Sequence, residues 1–458
     1  MENYDVIIVG AATSGSFFAK KLAEKGYKIL VIEKCSEETI GKRLDIFHMA
    51  KKEFSTYDLP LPKTGDIDWA FEFCDSQALS PTGKYPKKTK SEVVGMHMHE
   101  YILRLNKWAI QVGAQIEYEA TLTDLLYDSD NRVCGVRYVK DGRAIDKYAK
   151  LVADCSGIPA VARTMLKDNY GVENFKLTDN DMFYVILKYF KYNDPKDYIQ
   201  GSRGWTYYKT WEAPQQDPQG AILGVGANFS YEYAEKIYAE FERNVALPDR
   251  TLQRIERGFT PYCRPPYSLV GDGFIAMGDS ACLTKPFNGE GVSSSMVESA
   301  IAVTVVDDIL RNNKAMSCEN LWSINNSYIN AQGAKFASMM ATILGAVNTS
   351  AKENEFFFRK DIVFSAKSFE SMDSPEGMVF SKREIFDMAI KMIGGVLSGN
   401  LRIKTIKSIL KGMSNSDKIK AHYLSFPTTP QGYDEWARKA DEIWKSIGTM
   451  ADCANNNT

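Results

Sequence analysis

The chain has 458 residues, more than a single hydrophobic core usually holds, so at least two domains are expected. Its content of 44% hydrophobic and 25% charged residues is typical of a globular protein and argues against extensive disorder. The net charge of -2, with scattered Lys and Arg residues, disfavours a nucleic-acid-binding surface.

The sequence also argues against metal sites, membrane-spanning segments and a signal sequence. The 8 cysteines have no C-x-x-C spacing and the 4 histidines are dispersed, so no zinc site, iron–sulfur cluster or other metal site is predicted. No apolar run is long enough to span a membrane. The N-terminus begins directly with a strand pattern and lacks a signal sequence, which predicts a cytoplasmic location.

The N-terminal segment predicts a βαβ unit. An apolar run over Tyr4–Val9 is followed by a glycine turn at Gly10, a helical pattern over Ser16–Lys25 and a second apolar run over Lys28–Ile32. Units of this kind wind right-handed within a parallel sheet.

The glycine turn, Gly10-Ala11-Ala12-Thr13-Ser14-Gly15, is typical of a dinucleotide-binding loop. Gly10 permits the tight turn, Gly15 permits close packing of helix on strand, and the first helical amides would bind a pyrophosphate. Ala12 stands where such loops usually have a second glycine. Glu33, at the end of the second strand, is expected to accept hydrogen bonds from ribose hydroxyls. The predicted contacts here are Gly10, Ala12, Thr13, Ser14, Gly15, Glu33 and Lys34.

The middle of the chain predicts a second sheet. Mixed sequence with several prolines from Cys35 to Glu92 indicates loops and short strands, and His99–Val112 indicates an amphipathic helix. A hairpin around Asp141-Gly142 follows. Strands of a separate antiparallel sheet are predicted at Met182–Leu187, Gly204–Thr210 and Ala221–Ala227.

Two later loops carry acidic residues and glycines after apolar strands. Asp154-Cys155-Ser156-Gly157 ends the hairpin strand, although a helix-capping role would also explain its Asp and Ser. Gly278-Asp279 follows a strand over Phe274–Met277, and Asp279 is placed to bind a hydroxyl of a cofactor. The loop Lys285–Gly291 then opens a long helix over Gly291–Leu310, whose first amides suit a ring that becomes negatively charged on reduction.

In this order the motifs resemble the para-hydroxybenzoate hydroxylase-type FAD superfamily, most closely its geranylgeranyl reductase branch, over about the first 345 residues. The resemblance implies an α/β fold: a Rossmann-type FAD-binding domain, an inserted antiparallel-sheet substrate domain and a helical C-terminal region. The domains are predicted at 1–75, 93–165 and 265–345 for FAD, 76–92 and 166–264 for substrate, and 346–458 for the helical region. It also implies FAD contacts at Arg43, Asp154, Gly157, Gly278, Asp279, Pro286, Gly289, Gly291 and Val292.

The sequence also departs from that branch. A cysteine that the branch carries after the second strand is absent from Gly41–Asp45, and a Tyr-x-Trp-x-Phe-Pro pattern has no full match at Trp205–Thr210. An apolar or planar substrate is therefore predicted, without commitment to a polyprenyl chain. The predicted substrate contacts are Trp205, Tyr207, Trp211 and Phe287, and the candidate proton donors are Tyr207 and His48.

The resulting hypothesis is an FAD-dependent reductase of a carbon–carbon double bond, with hydride from flavin N5. A flavin monooxygenase using NAD(P)H and oxygen, and an FAD-stabilised binding protein without turnover, are the alternatives. The electron donor stays open among NAD(P)H, ferredoxin and a reduced flavin carrier, because no second glycine-rich βαβ unit is present.

The segment Leu401–Lys411 predicts a basic amphipathic helix with Ile403, Ile406, Ile409 and Leu410 along one side. Most such helices pack on their own protein. The alternative is a peripheral contact with the inner membrane surface, as suits an enzyme that takes a lipid-soluble substrate. The oligomeric state is not predicted.

Overall fold

A computed structural model describes residues 3–198, 200–371 and 381–448. The described strands are β1 (Asn3–Val9), β2 (Ile29–Ile32), β3 (Ile46–Ala50), β4 (Trp69–Leu79), β5 (Lys87–His97), β6 (Gln115–Glu117), β7 (Thr121–Tyr127), β8 (Val133–Lys140), β9 (Arg143–Asp154), β10 (Met182–Tyr192), β11 (Ser202–Trp205), β12 (Thr210–Pro214), β13 (Gly220–Asn228), β14 (Arg250–Pro261), β15 (Val270–Gly271) and β16 (Phe274–Ala276). The described helices are α1 (Thr13–Ala23), α2 (Lys51–Tyr57), α3 (Met98–Ile110), α4 (Tyr231–Asn244), α5 (Val292–Arg311), α6 (Cys318–Leu321), α7 (Ser323–Tyr328), α8 (Ala334–Ala346), α9 (Ala351–Lys360), α10 (Ala366–Ser371), α11 (Lys382–Leu397), α12 (Ile403–Leu424) and α13 (Tyr433–Ile447).

The first sheet is the predicted nucleotide-binding sheet. Its strand order is β15-β16-β9-β1-β2-β6, and the hairpin partners β7 and β8 extend it beside β9. Strand β1 lies between β2 and β9 and runs parallel to both. Residues of β1 and β2 are almost wholly buried, as expected of strands covered on both faces. The α/β fold class and the N-terminal βαβ unit are confirmed.

The second sheet has the order β14-β10-β13-β12-β11-β4-β5-β3. Helix α4 covers one face, which we call the outer face, where Trp205, Tyr208 and Phe241 form part of a buried cluster. The predicted antiparallel strands at Met182–Leu187 and Ala221–Ala227 are confirmed within β10 and β13.

Two local expectations for this sheet are wrong. The strand predicted at Gly204–Thr210 is interrupted by a 3-10 turn at 206–208, and Lys209 then adopts a left-handed φ of 47°. Residues 35–92 contain β4 and the start of β5, each strand being 11 residues long, rather than only loops and short strands. Strands β3, β4 and β5 all belong to the second sheet, although the predicted domain boundaries near residues 75 and 93 fall within β4 and β5. The domain boundaries stay a prediction.

The C-terminal region is helical, as predicted, and its helices cross at very short range. Gly345 of α8 faces Gly412 of α12, and a Cβ at residue 412 would lie 2.9 Å from the Cα of Gly345. Such a contact brings two helix backbones together as only glycine permits. Within the ranges the structure describes, no helix has both the length and the apolar character needed to cross a bilayer.

We expect Gly412→Ala to destabilise the protein by about 1–3 kcal/mol, because the added methyl group meets a backbone that cannot move aside. The matched control is Gly394→Ala in α11, where no atom lies within 4 Å of the added Cβ. Alanine there should leave stability unchanged or raise it by up to about 1 kcal/mol through helix propensity. Thermal melting of both variants tests this expectation. Equal changes in melting temperature would contradict a close backbone contact between α8 and α12 at Gly412.

Candidate active site

The glycine turn after β1 leaves no room for side chains at two positions. Gly10 has a φ of 106°, and a Cβ there would overlap the carbonyl oxygen of Cys155. A Cβ at Gly15 would overlap the carbonyl oxygen of Gly10. Ala12, at the N-cap of α1, offers no side chain to cap the first-turn amides. Those amides, which include that of Ser14, therefore have no side-chain cap, as a helix start that binds a phosphate group requires.

Glu33 lies beside this turn, at the carboxyl end of β2. Its side-chain oxygens accept hydrogen bonds from the backbone N–H groups of Ala11 at 2.9 Å and Cys35 at 2.8 Å. The carboxylate is thereby fixed where the ribose of a dinucleotide is expected. The neighbouring Lys34 side chain is exposed.

Asp154 braces the loop that follows β9. Its carboxylate accepts from the N–H of Ser156 at 2.9 Å and of Arg163 at 2.7 Å. Arg163 is fully buried, and its Nε donates to the carbonyl oxygen of Ser280 at 2.7 Å. This arginine, to which sequence reasoning gave no role, joins the loop to the next motif. Gly157 has a φ of 75° and open space beside it.

The Gly278 motif touches the glycine turn directly. A Cβ at Gly278 would lie 3.3 Å from the Cβ of Ser14. Asp279 accepts from the Thr284 hydroxyl at 3.2 Å, and burial raises the pKa of the Asp279 carboxyl. Gly291, the N-cap of α5, has no side chain to cap that helix. Of the predicted positions Gly278, Asp279, Pro286, Gly289, Gly291 and Val292, the structure places Gly278 against α1 and Gly291 against Asp279, 3.2 Å from its Oδ1 to a Cβ built at Gly291.

A buried glutamate supports this segment and was missed in the sequence. Glu298 of α5 is fully buried, and its Oε2 accepts from the N–H of Gly278 at 3.2 Å. Its Oε1 has no hydrogen-bond partner, and burial raises its pKa well above the usual value. The sequence feature that could have identified Glu298 is its charge, because the surrounding residues of α5 are mostly apolar or small.

These loops fit FAD. Two helix starts, at Ala12 and Gly291, have no side-chain cap, and their free amides and positive ends suit a pyrophosphate and a ring that gains negative charge. Glu33 and Asp279 supply acceptors for hydroxyl groups. The residues present would thus hold the cofactor from both ends.

The inner face of the second sheet, opposite α4, adjoins these loops. The Oγ1 atoms of Thr260 on β14 and Thr284 lie 3.1 Å apart. Thr260 pairs with Phe183 of β10, which pairs with Asn228 of β13, so all three side chains belong to the inner face.

Aromatic rings lie flat over glycines on this face. A Cβ at Gly224 would overlap the Trp211 ring, and one at Gly226 would overlap the Phe183 ring. The aromatic rings thereby cover strand positions that have no side chains of their own. The result is a smooth apolar wall beside the cofactor loops.

His48 of β3 lies on the inner face, two residues along the strand from the buried Ile46. Its side chain is solvent-accessible, and desolvation by the surrounding protein lowers its pKa. The ring lies 6.0 Å from that of Phe73, and the negative charge of Glu290 in the cofactor loop acts on it in the opposite sense.

A charged group fixes the start of the strand that carries His48. Asp45 accepts from His97 at 2.8 Å and from Arg254 at 2.5 Å. The hydrogen bond from His97, followed by that from Arg254, lowers the pKa of Asp45 to about 2 despite partial burial. The same contact raises the pKa of His97.

The predicted aromatic residues divide between the two faces of the second sheet. Trp211 lies on the inner face, and Phe287 lies in the cofactor loop. Trp205 instead packs on Phe241 of α4 with ring centroids 5.0 Å apart. Tyr207 joins the same outer cluster. Trp211 is thus on the inner face and Phe287 is in the cofactor loop, whereas Trp205 and Tyr207 are on the opposite face of the sheet.

Arg43 is placed against the edge of the second sheet. Its guanidinium lies 3.5 Å from the ring centroid of Phe259, a neighbour of Thr260 whose side chain alternates to the outer face.

The family pattern fits better one segment downstream of the one compared in the sequence. In Lys209-Thr210-Trp211-Glu212-Ala213-Pro214 the Trp and Pro positions of Tyr-x-Trp-x-Phe-Pro are kept on β12. Lys209 stands in place of the tyrosine and Ala213 in place of the phenylalanine.

We expect Gly10→Ala to weaken FAD binding at least about 10-fold, equivalent to about 1.4 kcal/mol, because its methyl group displaces the turn that presents the α1 amides. Gly26→Ala is the control: it has a similar positive φ, 87°, but no atom within 4 Å. Flavin content after purification and FAD titration of the apoprotein measure the effect. Equal affinities in the two variants would count against the turn as the cofactor site.

Comparison with known proteins agrees with this geometry. The chain is 24% identical over 454 residues to the digeranylgeranylglycerophospholipid reductase of Sulfolobus acidocaldarius, covering 96% of this chain and 97% of that protein. It is 28% identical over 324 residues to the enzyme of that name from Methanothrix thermoacetophila, covering 66% and 78%. No family model matches the chain.

Solved structures share the fold. A geranylgeranyl bacteriochlorophyll reductase-like protein from Thermoplasma acidophilum has a TM-score of 0.70 at 16% identity, covering 88% of this chain and 100% of that one. A flavin-dependent brominase has a TM-score of 0.62, also at 16% identity, covering 91% and 100%. The resemblance predicted from the motifs is confirmed: this chain is a geranylgeranyl reductase-like FAD-dependent oxidoreductase.

Proposed function

We propose that this oxidoreductase reduces carbon–carbon double bonds of an isoprenoid-type lipid. The observation that carries the proposal is the apolar wall of Phe183 and Trp211 over Gly226 and Gly224. Its Phe183 end adjoins the cofactor loop, because Phe183 pairs with Thr260, whose hydroxyl contacts that of Thr284. Flat aromatic surfaces suit an apolar chain with planar alkene groups. The names of the relatives from Sulfolobus acidocaldarius and Methanothrix thermoacetophila support a substrate of this class.

The chain's own residues prepare the site for reduction. FAD, when bound, supplies the hydride for one alkene carbon. The wall excludes water and holds the alkene against the loop that contains Pro286. The start of α5 at Gly291 and Val292 stabilises negative charge near the ring through its free amides and helix dipole.

His48 is our candidate for supplying the proton to the second alkene carbon, directly or through a water. It lies on the inner face, where the negative charge of Glu290 acts on it, whereas Tyr207 lies on the outer face. Desolvation lowers the pKa of His48, so the imidazole is mostly neutral near pH 7. The acid is the protonated imidazolium, which gives its N–H proton to the alkene carbon and returns to neutral imidazole, and the negative charge of Glu290 favours that protonated form.

The proposed alkene reduction can be tested with light as the means of reducing the flavin, so the natural electron donor is not needed. Anaerobic photoreduction of the FAD-loaded protein, followed by addition of a polyunsaturated isoprenoid lipid, should reoxidise the flavin and add two hydrogens per reduced double bond. The fully saturated lipid is the control and should leave the flavin reduced. Failure of every alkene in an isoprenoid panel to reoxidise it would reject the proposal. NAD(P)H, a reduced ferredoxin and a reduced free flavin are then compared as donors.

We expect His48→Gln to lower turnover at least about 10-fold, because general acid catalysis typically contributes a factor of about 100 to 10,000. Flavin content should not change, since among the described residues no hydrogen bond joins the imidazole to the backbone of the cofactor loops. His422→Gln is the control, because its ring stacks on Trp436 among the C-terminal helices. Mass-spectrometric product formation under photoreduction measures turnover, and equal rates in both variants would remove His48 from the mechanism.

A peripheral contact with a membrane is the second part of the proposal. Helix α11 buries Met388 and Met392 on one side. Its other side exposes large apolar residues, among them Phe386 at 68% and Leu397 at 84% exposure. The apolar strip, as we call this surface, consists of Phe386, Ile390, Ile393 and Leu397 of α11 with Ile403 and Leu410 of α12.

Charge favours a lipid surface as the occupant of the apolar strip. Residues 381–411 carry seven Lys or Arg and two Asp or Glu, in a chain whose net charge is -2. Lys404, Lys407 and Lys411 are exposed beside the strip. Apolar residues rimmed by cations are typical of helices that lie in the interface of an anionic bilayer. Ile406 and Ile409, predicted on the same side, instead pack against the protein.

We expect the protein to float with phosphatidylcholine vesicles that contain phosphatidylglycerol, and less with phosphatidylcholine alone or at high salt. Phe386→Ser with Leu397→Ser should abolish flotation, and neutralising Lys404, Lys407 and Lys411 to Gln should weaken it. Leu252→Ser with Ile255→Ser, at exposed apolar positions of β14, is the matched control and should float normally. Unchanged flotation of the α11 variant, or a stable dimer that buries the strip, would refute the membrane contact.

A further inference from the structure

A lysine, Lys209, lies beside the apolar wall formed by Phe183 and Trp211. Lys209 lies between the 3-10 turn and β12, where its carbonyl oxygen accepts from the N–H of Gly226 at 3.0 Å. Its Nζ lies 3.5 Å from Oδ1 of Asn228 and 5.8 Å from the ring centroid of Phe183. Both polar side chains therefore belong to the inner face.

The register of the sheet places this pair relative to the cofactor loops. Asn228 pairs with Phe183, and Phe183 pairs with Thr260, whose hydroxyl lies 3.1 Å from that of Thr284. Two strand spacings separate Asn228 from Thr260, a distance of about 10 Å. The pair thus lies along the wall and within reach of a substrate whose alkene is at the loops.

The pair has hydrogen-bond donors that the protein does not satisfy. Asn228 is 2% exposed, and its Nδ2 has no partner. Lys209 makes a single long contact, to the amide oxygen, and no ion pair with a carboxylate is found for it among the described residues. Lys188 of the same sheet, by contrast, pairs with Glu235 at 2.9 Å.

Unpaired donors of this kind are costly to bury. Desolvation lowers the pKa of Lys209 to about 8, so the ammonium is still mostly charged near pH 7. An amide N–H and an ammonium that share one apolar space are complementary to an oxygen acceptor that carries negative charge. A neutral hydroxyl would satisfy one hydrogen bond but would leave the charge unpaired.

We propose that Lys209 and Asn228 bind an anionic oxygen group of the substrate, a phosphate or a carboxylate, about 10 Å along the wall from the cofactor loops. This inference rests on the proposed function only in taking the inner face as the substrate surface. The subsite fixes one end of an otherwise apolar molecule, and thereby selects which double bonds reach the loops. Lys209 occupies the tyrosine position of the family pattern, so the subsite distinguishes this chain from that pattern.

The test measures binding and not turnover. The FAD-loaded wild-type protein is titrated with octyl phosphate, octanoate and octanol, and the change in flavin absorbance gives each dissociation constant. We expect at least one anionic probe to bind 10-fold or more tightly than octanol, about 1.4 kcal/mol. The phosphate and carboxylate arms identify which anion the site prefers.

Two variants isolate the subsite. Lys209→Met should reduce the preference for the anion to less than about 2-fold while the octanol affinity and flavin content stay unchanged, since the loss of 1.4 kcal/mol is a factor of about 10. Asn228→Asp should do the same by pairing with Lys209, and it preserves the size of the side chain. Lys191→Met is the matched control, because Lys191 is exposed on the same sheet and pairs with Asp217 at 3.2 Å.

The outcomes are distinct from those of the alkene experiment. A wild-type protein without preference for either anion, or a preference that survives in both subsite variants, overturns the proposal. Alkene reduction with no anion preference keeps the proposed function and rejects the subsite. An anion preference that depends on Lys209, in a protein that reduces no alkene, keeps the subsite and rejects the proposed function.

Discussion

The close approach of backbone at the first glycine turn is the constraint on which the site depends. Gly10 and Gly15 have no space for a Cβ, because the carbonyl oxygens of Cys155 and Gly10 occupy it. Strands β1 and β9 are adjacent and parallel, so the turn after one strand meets the loop after the other. Helix α1 therefore starts against the sheet edge, where Ser14 reaches Gly278 and the uncapped amides face the cofactor region.

Buried polar groups then hold the later loops in place. Arg163 connects the Asp154 loop to Ser280 inside the core, and Glu298 accepts from the N–H of Gly278. Burial raises the pKa of Asp154, Asp279 and Glu298, because each carboxyl has left water for an environment with few compensating donors. Loops fixed by such contacts are arranged before a cofactor binds, which reduces the entropy lost on binding.

Local and periodic features were predictable from the sequence. The turn at Gly10, Glu33 after β2 and the loop before α5 follow from short-range patterns, and the structure places these segments together. The side of the sheet on which Trp205 lies was not predictable, because the 3-10 turn and the left-handed Lys209 break the strand alternation between it and Trp211. The pairing of Asn228 with Lys209 likewise depends on the register of β12 against β13, which no local pattern encodes.

Lys209 differs from other charged side chains of the second sheet in its neighbours. On the outer side, Arg203 donates to Glu212 at 2.7 Å and Lys188 is paired with Glu235. On the inner side, Arg254 donates to Asp45 at 2.5 Å, whereas Lys209 has the amide oxygen of Asn228 and the Phe183 ring beside it. An uncompensated buried charge is strongly unfavourable, so the position of Lys209 calls for a counter-charge. The difference is explained if the inner face is completed by a molecule that brings its own negative charge, and the apolar wall then accounts for the rest of that molecule.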